Sequence, residues 1–274
     1  MLTLLKKISA FLFLCALTGT SAQAQQKQNS MAHFLAVTGF DQTVVSLKLN
    51  VMHAPHVFGM QRSRLQADWL AVVEVIFDET DMLKRLEAKL ANSLTENSQL
   101  FAVEFYGSDL GRRIADAESK ALDPFQSDDQ NAKATAMFFD GRPDRRSKLH
   151  DLKTVTETLA HSFQVFTLVQ TSFLKAAKVA GVQNDVYDTE KLETFATSDL
   201  STFTISLTER ALVQAAGTYR AFSDDDLDIY LAALQDKNMR EAYRLVNEVL
   251  IHLLIDRLNA VAKELSKLKK AQKT

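Results

Sequence analysis

Residues 149–178, LHDLKTVTETLAHSFQVFTLVQTSFLKAAK, place Leu152, Val155, Leu159, Phe163, Phe166, Val169, Phe173 and Ala177 three or four residues apart. That spacing follows the 3.6-residue turn of an α-helix and lines one side of about eight turns with apolar groups. A helix that is apolar on one side must bury that side against a neighbour. The segment 240–269 repeats the pattern with Tyr243, Val246, Leu250, Leu253, Leu254, Leu258, Val261, Leu265 and Leu268. Segments 64–77, 79–94, 96–106, 109–122, 208–221 and 224–235 carry shorter runs of the same spacing. The fold class this predicts is all-α, a two-lobed helical bundle or array.

Composition agrees. With 46% hydrophobic residues but only 8 Gly, 3 Pro and 1 Cys in 274, the chain is neither collagen-like, low-complexity nor disulfide-stapled, and it lacks the turn residues of an all-β fold. Val45-Ser46-Leu47-Lys48-Leu49-Asn50-Val51 and Thr202-Phe203-Thr204-Ile205-Ser206-Leu207-Thr208 alternate strictly, as strands do. Yet Phe40, Val44, Leu47 and Val51 also share a helix face, and both stretches run into helical patterns without a hairpin turn. Helix is expected at both.

Residues 1–24 read as a secretory signal peptide. Lys6 and Lys7 form a basic start, Ile8 to Leu17 a short apolar core, and Ala22-Gln23-Ala24 a small-residue cleavage site. Cys15 follows bulky Leu14, unlike a lipoprotein signal. Removing 24 of the 274 residues leaves 250, and takes two of the 32 basic residues but none of the 34 acidic ones, so the net charge moves from −2 to −4. The mature chain would have no cysteine, hence neither a disulfide nor a thiolate nucleophile. No later stretch is long and apolar enough to span a bilayer. The expected location is the periplasm, and the mild acidity gives no footprint for nucleic acid.

Turn signals cluster at Asp123-Pro124 with Ser127-Asp128-Asp129, at Gly141-Arg142-Pro143-Asp144, and from Gly181 to Asp188. The central one divides the mature chain into an N-terminal helical lobe, 25–140, and a C-terminal lobe, 141–274. A low-identity echo links the two. Thr95-Glu96-Asn97 leads to Ser108 and then Arg112, and at an offset of 128 residues Ser223-Asp224-Asp225 leads to Asp236 and then Arg240. The offset suggests a duplicated helical unit.

Leu35-Ala36-Val37-Thr38-Gly39-Phe40-Asp41, followed by Phe105-Tyr106-Gly107-Ser108-Asp109-Leu110-Gly111-Arg112-Arg113, resembles the bacterial "domain of unknown function 2059" family over residues 30–120, with a fainter second copy over 200–255. The resemblance implies an exported helical domain and carries no activity with it. Asp109 stands where the family's Phe-Tyr-x-Ser-Pro-x-Gly signature has proline. Read physically, Phe105, Tyr106, Ser108, Gly111 and Arg112 encode a helix–corner–helix joint. Ser108 caps the second helix, Asp109 faces its positive end, Gly111 admits close packing, and the two rings fill the corner.

Residues suited to chemistry are few. His53-Ala54-Pro55-His56 has metal-like spacing, but Pro55 argues for a solvated loop and no carboxylate lies nearby. His33, His150, His161 and His252 stand apart. Asp224-Asp225-Asp226-Leu227-Asp228 lacks the alternation of a calcium loop and follows Ser223, so it reads as a helix start, as does Asp78-Glu79-Thr80-Asp81. No nucleophile motif or phosphate loop is present. No catalytic, cofactor or metal residue is therefore assigned. Arg142, Arg145, Arg146 and Lys148 read as an exposed loop. Lys263, Lys267, Lys269, Lys270 and Lys273 form a basic tail suited to weak contact with an anionic surface.

The function expected is binding, as a scaffold or chaperone-like module of the envelope whose partner is an envelope protein. The alternatives are a peptidoglycan hydrolase using Glu74 or Glu104, and a carrier of a small apolar ligand. Leu94-Thr95-Glu96-Asn97-Ser98-Gln99 only approximates the Leu-Thr-x-x-Gln pattern of small periplasmic chaperones. The joint supplies a first test. Gly111→Leu should lower the melting temperature by overpacking the corner, and an unchanged melting temperature would count against that reading.

Overall fold

The computed structural model of the chain describes residues 30–57, 64–122, 128–179 and 200–271. These are helical almost throughout, with no strand among them. The helices are α1 (30–38), α2 (Phe40–Val57), α3 (Arg64–Ile76), α4 (Glu79–Ser93), α5 (Glu96–Gly107), α6 (Asp109–Ala121), α7 (Asp128–Phe139), α8 (Pro143–Val155), α9 (Thr158–Val179), α10 (Leu200–Thr218), α11 (Asp224–Gln235) and α12 (Lys237–Ala271). Both alternating stretches are helix, within α2 and α10. The leader 1–24, Asp123-Pro124, Gly181 to Asp188 and the tail beyond Ala271 lie outside the described residues. No helix among the described residues is long and apolar enough to cross a membrane.

The last helix organises the rest. α12 has 35 residues, about 52 Å at 1.5 Å per residue. Met239, Ala242, Val246, Leu250, Leu253, Leu254, Leu258, Val261 and Leu265 are all buried along it. Leu245, Val249 and Ile251 are buried too, so its apolar surface is wider than one stripe. It packs against α2, α3, α4, α5, α9 and α11. Leu268, assigned to the stripe from its spacing, is 40% exposed where the helix outruns its neighbours. The buried side chains form one continuous cluster from Met31 to Leu265, so the core shows no break at residue 140.

The stripe over 149–178 is carried by two helices. α8 ends at Val155 and α9 begins at Thr158. Between them Glu157 has a φ of 54°, a left-handed conformation that a side chain disfavours. Thr156, buried here, donates its hydroxyl to the Leu152 carbonyl at 3.0 Å, closing the end of α8. The break preserves the apolar spacing across it, which is why periodicity alone does not register it. α1 and α7 are helices that spacing does not predict, and α7 packs at the edge of the molecule. It buries Ala134 against α10, close enough that a Cβ on Gly217 would lie 3.0 Å from Ala134 Cβ, while Met137 and Phe139 stay exposed.

His53, Pro55 and His56 do not form a loop. All three lie in the last turns of α2, with the two imidazoles stacked, centroids 4.8 Å apart. Proline inside a helix removes the N–H that would bond the carbonyl four residues back. Here that carbonyl belongs to Val51, and it accepts instead from Trp69 Nε1 at 2.8 Å. Trp69 itself is buried on α3, its ring edge-on to Phe173 of α9 at 5.0 Å. A tertiary donor thus replaces the missing backbone donor.

The cluster Arg142, Arg145, Arg146 and Lys148 is likewise not an exposed loop. Pro143 starts α8 at its first position, where no N–H is required. Arg145 donates to Asp224 Oδ1 at 2.6 Å and to the Tyr219 and Phe222 carbonyls at 2.8 and 3.0 Å. Arg142 pairs with Asp224 and Lys148 with Asp228. The acidic run that opens α11 is therefore matched by the basic start of α8. Ser223 and Asp226 form a reciprocal capping box there, as a helix-start reading requires.

The Trp69–Val51 bond yields a double-mutant test. Trp69→Phe should cost about 1–3 kcal/mol by stranding a buried carbonyl. Pro55→Ala in that background should recover part of the loss by restoring a backbone donor, measured by denaturant unfolding. Strictly additive effects would refute the coupling.

Candidate functional site

α5 and α6 meet at Ser108 with no intervening loop. Its hydroxyl accepts from the Gly111 N–H at 3.0 Å, as the capping reading expects. A Cβ on Gly111 would lie 2.0 Å from the Phe105 carbonyl oxygen, so the close approach is to the end of the preceding helix. Tyr106 is fully buried, and Phe105 stacks on Tyr230 with ring centroids 5.7 Å apart. Arg112 is exposed and donates to the Gly107 carbonyl, with Asp109 3.8 Å away.

The second corner has the same plan. α11 spans twelve residues like α5, begins after Ser223 as α5 begins after Thr95, and passes through Asp236 into α12 as α5 passes through Ser108 into α6. All these positions are 128 residues apart. Met239 takes the position of Gly111, and Lys237 the position of Asp109.

Between the two corners lies a buried polar knot. Tyr219 and Tyr230 both donate to Glu118 Oε1, the latter at 2.8 Å. Tyr106 lies 3.0 Å from the Tyr230 hydroxyl and 2.5 Å from that of Tyr243. Because Tyr230 spends its proton on Glu118, one consistent order runs from Tyr243 to Tyr106 to Tyr230 to the carboxylate. Five side chains from α5, α6, α11, α12 and the end of α10 are joined in this way. Burial, then the neighbouring carboxylate and hydroxyls, pushes Tyr230 far above the ordinary phenol range, and burial foremost raises Tyr106, Tyr219 and Tyr243 as well. The knot ties the corners together, with Tyr106, Tyr219 and Tyr230 buried and Glu118 and Tyr243 half-buried.

Above Tyr243 the surface opens into a cleft of about 320 Å³, lined by Val155, Thr156, Glu157, Lys237, Arg240, Glu241, Tyr243 and Arg244. One wall is the strained turn between α8 and α9, and the other is the first two turns of α12. Two of these charged side chains are already engaged. Glu241 accepts from Thr95 Oγ1 at 2.8 Å and from Ser98, bonds that hold its carboxyl below the ordinary range. Arg244 pairs with Glu248 at 3.0 Å. Lys237 and Arg240 form no ion pair among the described residues. Both are exposed at the start of α12, where the Asp236 carboxylate accepts from the Asn238 N–H at 2.7 Å and faces the positive end of the helix dipole. Glu157 at the rim is the remaining acid.

Other groups considered for chemistry are engaged elsewhere or stand apart. Glu74, 61% exposed, pairs with Lys48 at 2.8 Å, and Glu104 is exposed on α5. His252 is exposed, while burial holds His161 down at about 4. Among the described residues no group of three or more His, Cys, Asp or Glu could hold a metal ion. Lys267 of the basic tail pairs with Glu264 at 2.6 Å. Sequence reasoning did not assign the tyrosine knot or the cleft.

The knot makes stability fall in alkali. Its hydroxyls hold their protons to higher pH folded than unfolded, so above about pH 10, where free tyrosine ionises, the unfolded chain binds fewer protons and is favoured. Below that pH the contribution is complete. Phenolate absorbance of these residues should therefore rise together with loss of the helical circular dichroism signal. Ionisation near the ordinary value in a still-folded protein would refute the closed knot.

Compared with protein-family models, curated proteins and solved structures, the chain matches none.

Proposed function

We propose that this chain is an exported helical protein of the periplasm that acts by binding rather than by catalysis, and that its ligand enters the cleft between the α8–α9 turn and α12. The leader-like residues 1–24 and the resemblance of residues 30–120 to the domain of unknown function 2059 family support the location. One observation carries the binding role: Lys237 and Arg240 line a concavity and form no ion pair among the described residues. Both side chains are exposed, where a partner can reach them from solvent. The hydrolase reading has less behind it, since Glu74 is exposed and already paired, unlike a general acid in an apolar cleft.

Affinity capture from native envelope extract tests the role. The wild-type protein should retain an envelope component that Lys237→Glu with Arg240→Glu loses. Release of soluble fragments from purified peptidoglycan, abolished by Glu74→Gln or Glu104→Gln, would replace binding with hydrolysis.

A further inference from the structure

We infer that α7 is a self-association face, across which a second copy of this chain lays its own α7 antiparallel. The inference is independent of the cleft. α7 has 12 residues, a length at which a helix is marginal in water unless one of its faces is well buried. Among its described side chains only Ala134 is buried, with Phe138 half-buried beside it. The helix packs chiefly on α10. Met137 is 45% exposed and Phe139 51%, and Ala132 and Ala136 face solvent as well. Two strips run along this exposed side. Ala132, Ala136 and Phe139 stand at i, i+4 and i+7, and Lys133, Met137 and Asp140 repeat that spacing one residue on. Together they lie opposite the strip of Ala134 and Phe138 that meets the rest of the chain.

The order of charges selects the partner. When two such faces meet antiparallel about a two-fold axis beside Met137, each strip meets its own reverse. Lys133 then stands opposite the partner's Asp140, and Asp140 opposite the partner's Lys133. A parallel pairing would set lysine against lysine and aspartate against aspartate. Phe139 comes over the partner's Ala132 and Ala136, whose small side chains leave room for its ring, and Met137 meets the partner's Met137. Asp140 is exposed and forms no ion pair among the described residues. Lys133 holds Asp129 at 2.7 Å and, with three donors, can serve a second carboxylate. The charges that follow on α8 are placed otherwise. Arg142 pairs with Asp224, Arg146 donates to the Phe139 carbonyl at 3.3 Å, and Asp144 lies in the first turn, where the helix dipole suits an acid. Along residues 128–140 the acids Asp128, Asp129 and Asp140 outnumber the single cation Lys133, which disfavours an anionic membrane as the occupant.

The face is small, so sedimentation equilibrium of the mature chain should show a reversible monomer–dimer equilibrium with a Kd on the order of 100 µM. Lys133→Glu and Asp140→Lys should each weaken the dimer about tenfold or more, with unchanged circular dichroism spectra. An equimolar mixture of those two variants should recover the dimer, and so should the chain carrying both changes, because opposite charges again face one another. Phe139→Asp should abolish it. A wild-type chain still monomeric at about 1 mM would overturn the inference. A dimer indifferent to all three substitutions would overturn it as well, by placing the contact on another face. A monomer that binds phosphatidylglycerol vesicles through Phe139 would replace the second copy with a lipid surface. None of these outcomes bears on the cleft, so failure here and failure of the binding role are read separately.

Discussion

A 35-residue helix with apolar side chains over most of its circumference cannot stand in water, and the placement of the other elements follows from that requirement. α2, α3, α4, α5, α9 and α11 each give a face to α12. Because those partners come from both ends of the chain, the core is continuous from Met31 to Leu265. α7 and α10, which pair mainly with one another and with α8, flank that core and leave Met137 and Phe139 in water.

Most polar groups inside this core are matched, Gln170 Oε1 being a buried atom without a hydrogen-bond partner among the described residues. The Val51 carbonyl released by Pro55 receives the indole of Trp69, and Glu118 receives two tyrosine hydroxyls. Arg145 bonds the Tyr219 and Phe222 carbonyls of the turn after α10 while holding Asp224. The two helix corners share length and differ in where the acid stands: at the first helical position, Asp109, in one, and at the capping position, Asp236, in the other.

Much of the architecture was legible in the spacing of apolar residues. The helical character of Val45–Val51, the starts at Ser108 and Ser223, and the long final helix all follow from local rules of periodicity and capping. What escaped was set by tertiary partners. A histidine pair flanking a proline reads as a loop unless a tryptophan far away in sequence supplies the missing hydrogen bond. Arg142 to Lys148 read as solvated until the acids of α11 are brought beside them. The turn at Thr156–Glu157 preserves the apolar phase, so no pattern of side chains marks it. The tyrosine knot was invisible for a related reason: its members are scattered from Tyr106 to Tyr243, and their hydroxyls meet only when the corners do.

The contacts of α12 with α2 to α5 also bear on how the protein folds. Helices α2 to α5 emerge early, but the surface that covers them is encoded in residues 237–271. Until that last stretch arrives, the earlier helices have no complete core to collapse onto, and their contacts with it span most of the chain. The core therefore closes through contacts between residues far apart in sequence, which makes it slow to form relative to its individual helices.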